Sequence, residues 1–250
     1  MPEALALALA APGLVWLLLT SFVAGLVYGF AGFGSALIFM PIGAAILSPP
    51  VAIAAFSLSA LASFATLVPG AWRVMDRRAV LGMIAIAIVF TPIGVWALRV
   101  LDGAVIRAGV SVVVLVTLVA LVAGWRFGAG TGWRARGTVA AVAGVLGGST
   151  GLNGPPVILF NLGTDQPVSV TRANLTVFLT ITSLSFLPQL WAQGLLAVEA
   201  LWIGALLLVP YAIGTRAGAA VFDPARARLY RGVAYVVIAL AGVAGLPVFG

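Results

Sequence analysis

The sequence predicts an all-α polytopic membrane protein made of two inverted repeats, each a broken re-entrant helical hairpin followed by three transmembrane helices. Three observations lead there: an overwhelmingly apolar composition, a glycine-rich break that recurs once in each half, and a lopsided distribution of arginine. Of 250 residues, 63% are hydrophobic and 8% charged, and the mean hydropathy is +1.21, whereas a soluble domain carries about 25% charge. A crossing needs roughly 20 apolar residues, so the length allows about eight apolar segments. No room is left for a separate soluble domain, and residues 1–250 read as a single transmembrane domain.

Taken in order, residues 1–12 contain Glu3 and no basic residue. A secretory n-region is positive, so the first helix is expected to stay in the chain. Charge, Pro and Gly then divide the sequence into apolar runs at 13–47, 50–72, 79–101, 104–125, 137–163, 173–191, 198–222 and 229–248, all of helical length. The first and fifth are interrupted, one by Gly29, Gly32 and Gly34, the other by Gly147, Gly148, Gly151 and Gly154 with Pro155 and Pro156. Sliding the chain on itself by 118 or 119 residues brings Gly32 onto Gly151, Pro49 onto Pro167, Trp72 onto Trp191 and Pro92 onto Pro210. A duplication follows, with repeats at 13–125 and 137–248. Coincidence in a Gly-, Ala- and Leu-rich chain is the competing explanation.

Arginine tests the nature of the breaks. If all eight runs cross once, Arg73, Arg77, Arg78, Arg126, Arg134 and Arg136 lie on one side and the other seven arginines on the opposite side, which violates the positive-inside rule. If the fifth run enters and leaves on the same side, Arg172, Arg216, Arg226, Arg228 and Arg231 join the first six. The split becomes eleven to two, with Arg99 and Arg107 alone opposite. Applied to the first run as well, this gives three crossings per half, and an odd number inverts one half relative to the other. Inverted repeats with broken helices are a transporter signature. For residues 13–47 a full crossing plus a half helix remains open, because no Arg precedes Arg73.

Irregular backbone at membrane depth must be buried in protein or line a polar cavity. Ser35 can cap a half helix running to about residue 47, and Asn153 or Gly154 one that begins with Pro155 and Pro156. Both half helices would aim free N–H groups and a positive dipole end at the midplane, a setting suited to an anion. Further donors near that depth are Ser149 and Thr150 in the second break, Ser57, Ser59, Ser63 and Thr66 on the next helix, and Asn174, Thr176, Thr180 and Ser183 on its counterpart. Arg216 sits well inside an apolar run and is either a substrate counter-charge or an interface anchor. Arg172, at the hairpin exit, is either a gate contact or a topology determinant.

Other chemistry is narrowed by what the sequence lacks. With no Cys and no His, disulfides, Cys/His zinc sites and Ser-His or Cys-His dyads are excluded. Gly147, Gly148, Ser149, Thr150 and Gly151 fit the spacing of a hydrolase elbow, which needs a base that is absent. Gly29, Gly32 and Gly34 lack the strand-turn-helix setting and lysine of a nucleotide loop. No cofactor is expected. The net charge of +7 fits loops that face anionic lipid and does not imply nucleic acid.

At the breaks the chain resembles the TauE/SafE sulfite exporter family of anion permeases. The residues that carry this are Gly29, Phe30, Ala31, Gly32, Phe33, Gly34 and Ser35 with Pro41, and Gly144, Gly147, Gly148, Ser149, Thr150, Gly151, Leu152, Asn153, Gly154, Pro155 and Pro156. The family commonly has Gly where Ser35, Ala36 and Asn153 stand here. The resemblance covers nearly the whole length and implies transport of sulfite, sulfonates or related organic anions across a bacterial inner membrane. The expected reading is a secondary transporter that exports such an anion by alternating access, with the anion held at half-helix N-termini. The alternative is a membrane-embedded enzyme or assembly protein. Substrate contacts are expected from Gly32, Phe33, Gly34, Ser35, Ser149, Thr150, Gly151, Asn153, Gly154, Pro155, Arg172, Asn174 and Arg216. Expected partners are a small anion and membrane lipid, with a homodimer left open.

Overall fold

The computed structural model describes residues 2–125, 132–164 and 166–244. Arg126 and residues 245–248, both used in the sequence reading, lie outside the described residues. The described chain folds into helices α1 (Pro2–Leu9), α2 (Leu14–Ala31), α3 (Ser35–Ile46), α4 (Pro49–Thr66), α5 (Val68–Ala71), α6 (Arg77–Val100), α7 (Gly103–Val122), α8 (Trp133–Thr150), α9 (Gly154–Leu162), α10 (Val168–Ala192), α11 (Val198–Ala220) and α12 (Ala227–Ala244). Among these, α2, α4, α6, α7, α10 and α11 are long and apolar enough to cross a membrane. The protein is a multi-pass membrane protein.

Helix boundaries follow local chemistry. The Asp76 carboxylate accepts from the Ala79 N–H at 3.1 Å and starts α6, and Asp102 does the same for α7 through Ala104 at 2.7 Å. Proline opens α4 and α9, where its missing N–H costs nothing. The helix α10 begins five residues before the apolar run expected at 173, directly after Pro167. A charge marks the expected boundary, yet Arg172 lies inside the helix, where its side chain is partly buried.

Each broken segment is a hairpin. A Cβ built on Gly13, ahead of α2, would lie 3.1 Å from Ile46 Cδ1 at the end of α3, so the chain leaves by the end at which it came in. Near the start of α8, Arg136 shares a cavity with Asn161 and Thr164 at the end of α9. The outgoing leg α2, 18 residues and about 27 Å long, has the length of a crossing. The return legs of 12 and 9 residues measure about 18 and 14 Å, roughly half the hydrocarbon thickness.

Small residues hold the hairpins in the bundle. Ser21 Oγ donates to the Leu207 carbonyl at 3.1 Å, while Gly25 lies on Tyr211 and Gly29 on Gly218; α2 and α11 therefore run parallel. In the same manner α8 runs parallel to α6, with Gly144 on Ala87 and Gly148 on Gly94. A methyl group on Gly29 would collide with the Thr215 carbonyl, and one on Gly148 with that of Thr91. Backbones at this separation gain packing and weak contacts that larger side chains would prevent.

These directions sort the loops. One end of the bundle gathers residues 72–77, the start of α8, the α9–α10 connection and residues 221–227, tied by Arg136 to Asp76 at 3.8 Å and by the Asp76 N–H to Asn174 Oδ1 at 2.9 Å. Arg73, Arg77, Arg78, Arg134, Arg136 and Arg172 all belong to it. The opposite end holds Gly13, Ile46, Pro49 and Gly103, with Arg99 and Arg107 beside them in sequence. Trp72, Trp125 and Trp133 mark the first end and Trp16, Trp96 and Trp191 the second, five of the six being exposed. Tryptophan at both ends of an apolar girdle is the mark of two membrane interfaces.

Candidate functional site

The two turns are built on glycine in the left-handed region: Gly32 (φ 77°) and Gly34 (φ 95°) in the first, Gly151 (φ 75°) in the second. A side chain there costs about 1–2 kcal/mol. The residue at the N-cap of α3 is Gly34, not Ser35 as expected; Ser35 is the first helical residue. Asn153 does occupy the N-cap of α9, yet its side chain makes no capping bond. Its Nδ2 instead donates to Thr182 Oγ1 at 2.6 Å, with longer contacts to the Leu179 carbonyl and Ser183 Oγ. Neither half helix has a side-chain cap over its first turn, although in α9 Pro155 and Pro156 have no N–H and the open donor there is that of Gly154.

The two N-termini meet. Gly34, Ser35, Ala36 and Leu37 of the first hairpin and Asn153, Gly154 and Pro155 of the second line one central cavity of about 20 Å³, closed by Tyr28, Phe56, Thr180, Ser183 and Tyr211. Thr180 and Tyr211 lie near the middles of α10 and α11, so the cavity is at mid-depth. Each α-helix N-terminus carries roughly half a positive charge, and here two converge on one point from opposite directions. Tyr28 Oη lies 2.9 Å from both the Thr176 carbonyl and Thr180 Oγ1. The ring of Tyr211 is 6.4 Å from that of Tyr28 and packs edge-on against Phe56, with its hydroxyl beside Ser35 and Ser63. The space holds about one water molecule.

Five of the expected contacts, Gly34, Ser35, Asn153, Gly154 and Pro155, come together here. The others do not. Ser149 and Thr150 return their hydroxyls to carbonyls of their own helix, and Gly151 turns against Met40 and Ile53. Asn174 lies nearer the arginine-rich end, bonded to Asp76 and to Gln166. Arg216 is exposed on the outer face of α11, as an interface anchor would be, because its neighbours Thr215 and Gly218 take the face turned to α2. Tyr28, Phe56 and Tyr211 escaped the sequence reading. A tyrosine inside an otherwise apolar run was the available signal, since its hydroxyl needs a partner when buried.

Gly32, Phe33 and Arg172 form a second group above the central cavity. Arg172 packs on Gly32, donates from Nη2 to the Gly29 carbonyl and stacks 4.0 Å over the Phe222 ring. It thereby satisfies a carbonyl left open in the last turn of α2. Beside it is a cavity of about 170 Å³, lined in part by Phe33, Asn161, Thr164, Gln166 and Tyr230.

A model of the sulfite exporter TauE/SafE family matches residues 17–245. The chain belongs to the TauE/SafE family. No curated protein and no solved structure matches it. As a member of the TauE/SafE transporters, the protein is a membrane carrier for a small anion and not an enzyme. The match runs through both hairpins, so the central cavity and the Arg172 group lie within the family region.

Proposed function

We propose that this TauE/SafE protein exports a small sulfur-containing or organic anion, sulfite or a sulfonate, across a bacterial inner membrane, binding it between the N-termini of α3 and α9. The observation that carries this is the convergence of those two N-termini on one mid-depth cavity. Uncapped N–H groups, two positive dipole ends and the hydroxyls of Tyr28, Ser35, Thr180, Ser183 and Tyr211 supply donors from several sides, and an oxyanion accepts from each. Gly34 and Gly154 leave the main chain open to close approach.

Alternating access is the transport mechanism that the packing supports. In the proposed repeats 13–125 and 137–248 similar glycine crossings recur, Gly29 on Gly218 and Gly148 on Gly94, and the hairpins point in opposite directions. With the arginine-rich end in the cytoplasm, the repeats are inverted in the membrane. A cavity of about 20 Å³ is too small for a sulfite ion, so the anion is admitted when one repeat rocks against the other. The experiment is flux in proteoliposomes loaded with labelled sulfite, taurine or acetate. Protein-dependent release of the sulfur oxyanions supports the proposal, and release confined to acetate, or none, overturns it.

A further inference from the structure

We propose that the cavity of about 170 Å³ at the arginine-rich end is a second anion site, where Arg172 holds a sulfonate or small oxyanion before it passes Phe33 to the central cavity. The proposal rests on the transport reading above. The two cavities share no lining residue, yet three elements line both in sequence. On α10, Thr171, Arg172 and Leu175 face the outer cavity and Leu179, Thr180 and Ser183 the inner one. On α9, Asn161 and Leu162 face the outer and Gly154, Pro155 and Ile158 the inner. In the first hairpin Phe33 lines the outer and Gly34, the next residue, the inner. From Arg172 to Thr180 along α10 is about 12 Å, and Phe33, buried at 2% exposure, lines the outer cavity one residue before Gly34 of the inner. The two stations therefore adjoin along the same three elements.

The outer station has the chemistry of an anion site. Its cation is anchored on one edge by the Gly29 carbonyl and on one face by Phe222, while Arg172 Nε is buried and without a hydrogen-bond partner. A guanidinium has five N–H donors in a fixed fork and sheds water more readily than an ammonium, which suits it to an oxyanion. Asn161, Thr164 and Gln166 add neutral polar groups, and the described lining contains no carboxylate. Among the described lining residues Arg172 has no counter-ion, and a pocket of this size favours a guest of one negative charge.

The chain has no native Cys, and Thr171 lines the outer cavity but neither the central cavity nor the one that holds Arg136, so a single Thr171→Cys reports on the outer cavity. In purified protein, 2-sulfonatoethyl methanethiosulfonate should modify this thiol at least tenfold faster than the trimethylammonium analogue, and millimolar methanesulfonate should slow it. Arg172→Gln should abolish the preference and Arg172→Lys retain it. Because Arg172 also supports the end of α2, Gln166→Glu provides a second route: a carboxylate still accepts from Asn174, which now donates to Gln166 Oε1 at 3.0 Å, and its charge should cancel the preference. Equal rates for both reagents, or a preference indifferent to both Arg172→Gln and Gln166→Glu, would overturn the site. An absence of flux with the labelling preference intact would instead sink the transport reading and leave this site standing.

Discussion

Asn153 and Thr182 are joined by a hydrogen bond of 2.6 Å that fastens the N-terminus of α9 to the middle of α10. The residue in the capping position thus holds the half helix in place and leaves its N–H groups for a guest. Asn153→Ala removes this anchor and leaves Thr182 with only its own-helix carbonyls. The expected loss is about 1–3 kcal/mol of stability, seen as a lower thermal midpoint in detergent, together with weaker anion binding. Asn153→Asp replaces the donating Nδ2 by an acceptor and buries a negative charge, so stability should fall as well and anion binding should fall further than in the Ala variant. Undiminished binding in the Asp variant would refute an anion at this N-terminus.

Single cysteines give the topology. Thiols introduced near Arg77, Arg134, Gln166 and Arg226 should be labelled from the cytoplasm and one near Ile46 or Gly103 from the periplasm. The decisive position is Gln166, between the second hairpin and α10, because a continuous crossing of residues 137–163 would move it to the other side. Periplasmic labelling at Gln166 is the outcome that contradicts the inverted arrangement.

The helix crossings predict where small size is required. Gly29→Ala and Gly148→Ala each drive a methyl group into a facing backbone carbonyl and should cost about 1–3 kcal/mol by overpacking. Gly70, with nothing within 4 Å of a Cβ built on it, is the control and should accept Ala without loss. Thermal unfolding of the three variants in one detergent makes the comparison. Equal midpoints would mean that the crossings tolerate separation.

How far the site was legible follows from what each residue type announces. Glycine clusters flanked by apolar runs announced the breaks, because only glycine adopts φ 77° to 95° without strain. Arginine counting announced that the second break returns to its own side. Depth was not legible: Asn174 and Arg172 are near the second hairpin in sequence, but α10 begins at Val168 and keeps them in its first two turns, near the arginine-rich end. Nor was direction around a helix. Arg216 and Thr215 are adjacent, yet one is exposed and the other buried, and only the packing of α2 on α11 decides which. Tyr28 and Tyr211 meet across a separation of more than 180 residues, a pairing that no local pattern encodes.

Gly154 offers the cleanest probe of the central cavity. It has no left-handed backbone requirement, and a Cβ would touch Ile158 Cδ1 at 3.0 Å and Leu179 at 3.6 Å, both ends of flexible side chains. Gly154→Val should therefore leave the fold in the membrane while narrowing the cavity and reducing transport at least tenfold. Gly34→Val imposes φ 95° on a β-branched residue and should lower stability as well. Normal anion affinity in folded Gly154→Val would move the site elsewhere.

The driving force is the last expectation. Among the described residues, none of the acidic side chains lines the central cavity: Asp76 and Asp102 cap helices at the two ends, and Glu199 and Asp223 flank α11. The site therefore has no carboxylate to carry a proton with the anion. An inside-negative potential drives each negative charge outward by about 2.3 kcal/mol per 100 mV, which is enough for export without a coupled ion. Reconstituted vesicles loaded with sulfite and given an inside-negative potential by potassium and valinomycin should release it faster, with the rate rising with the potential and responding little to an imposed pH gradient. Release that follows the pH gradient and ignores the potential would establish proton coupling and require a carboxylate that the described lining of the cavity does not contain.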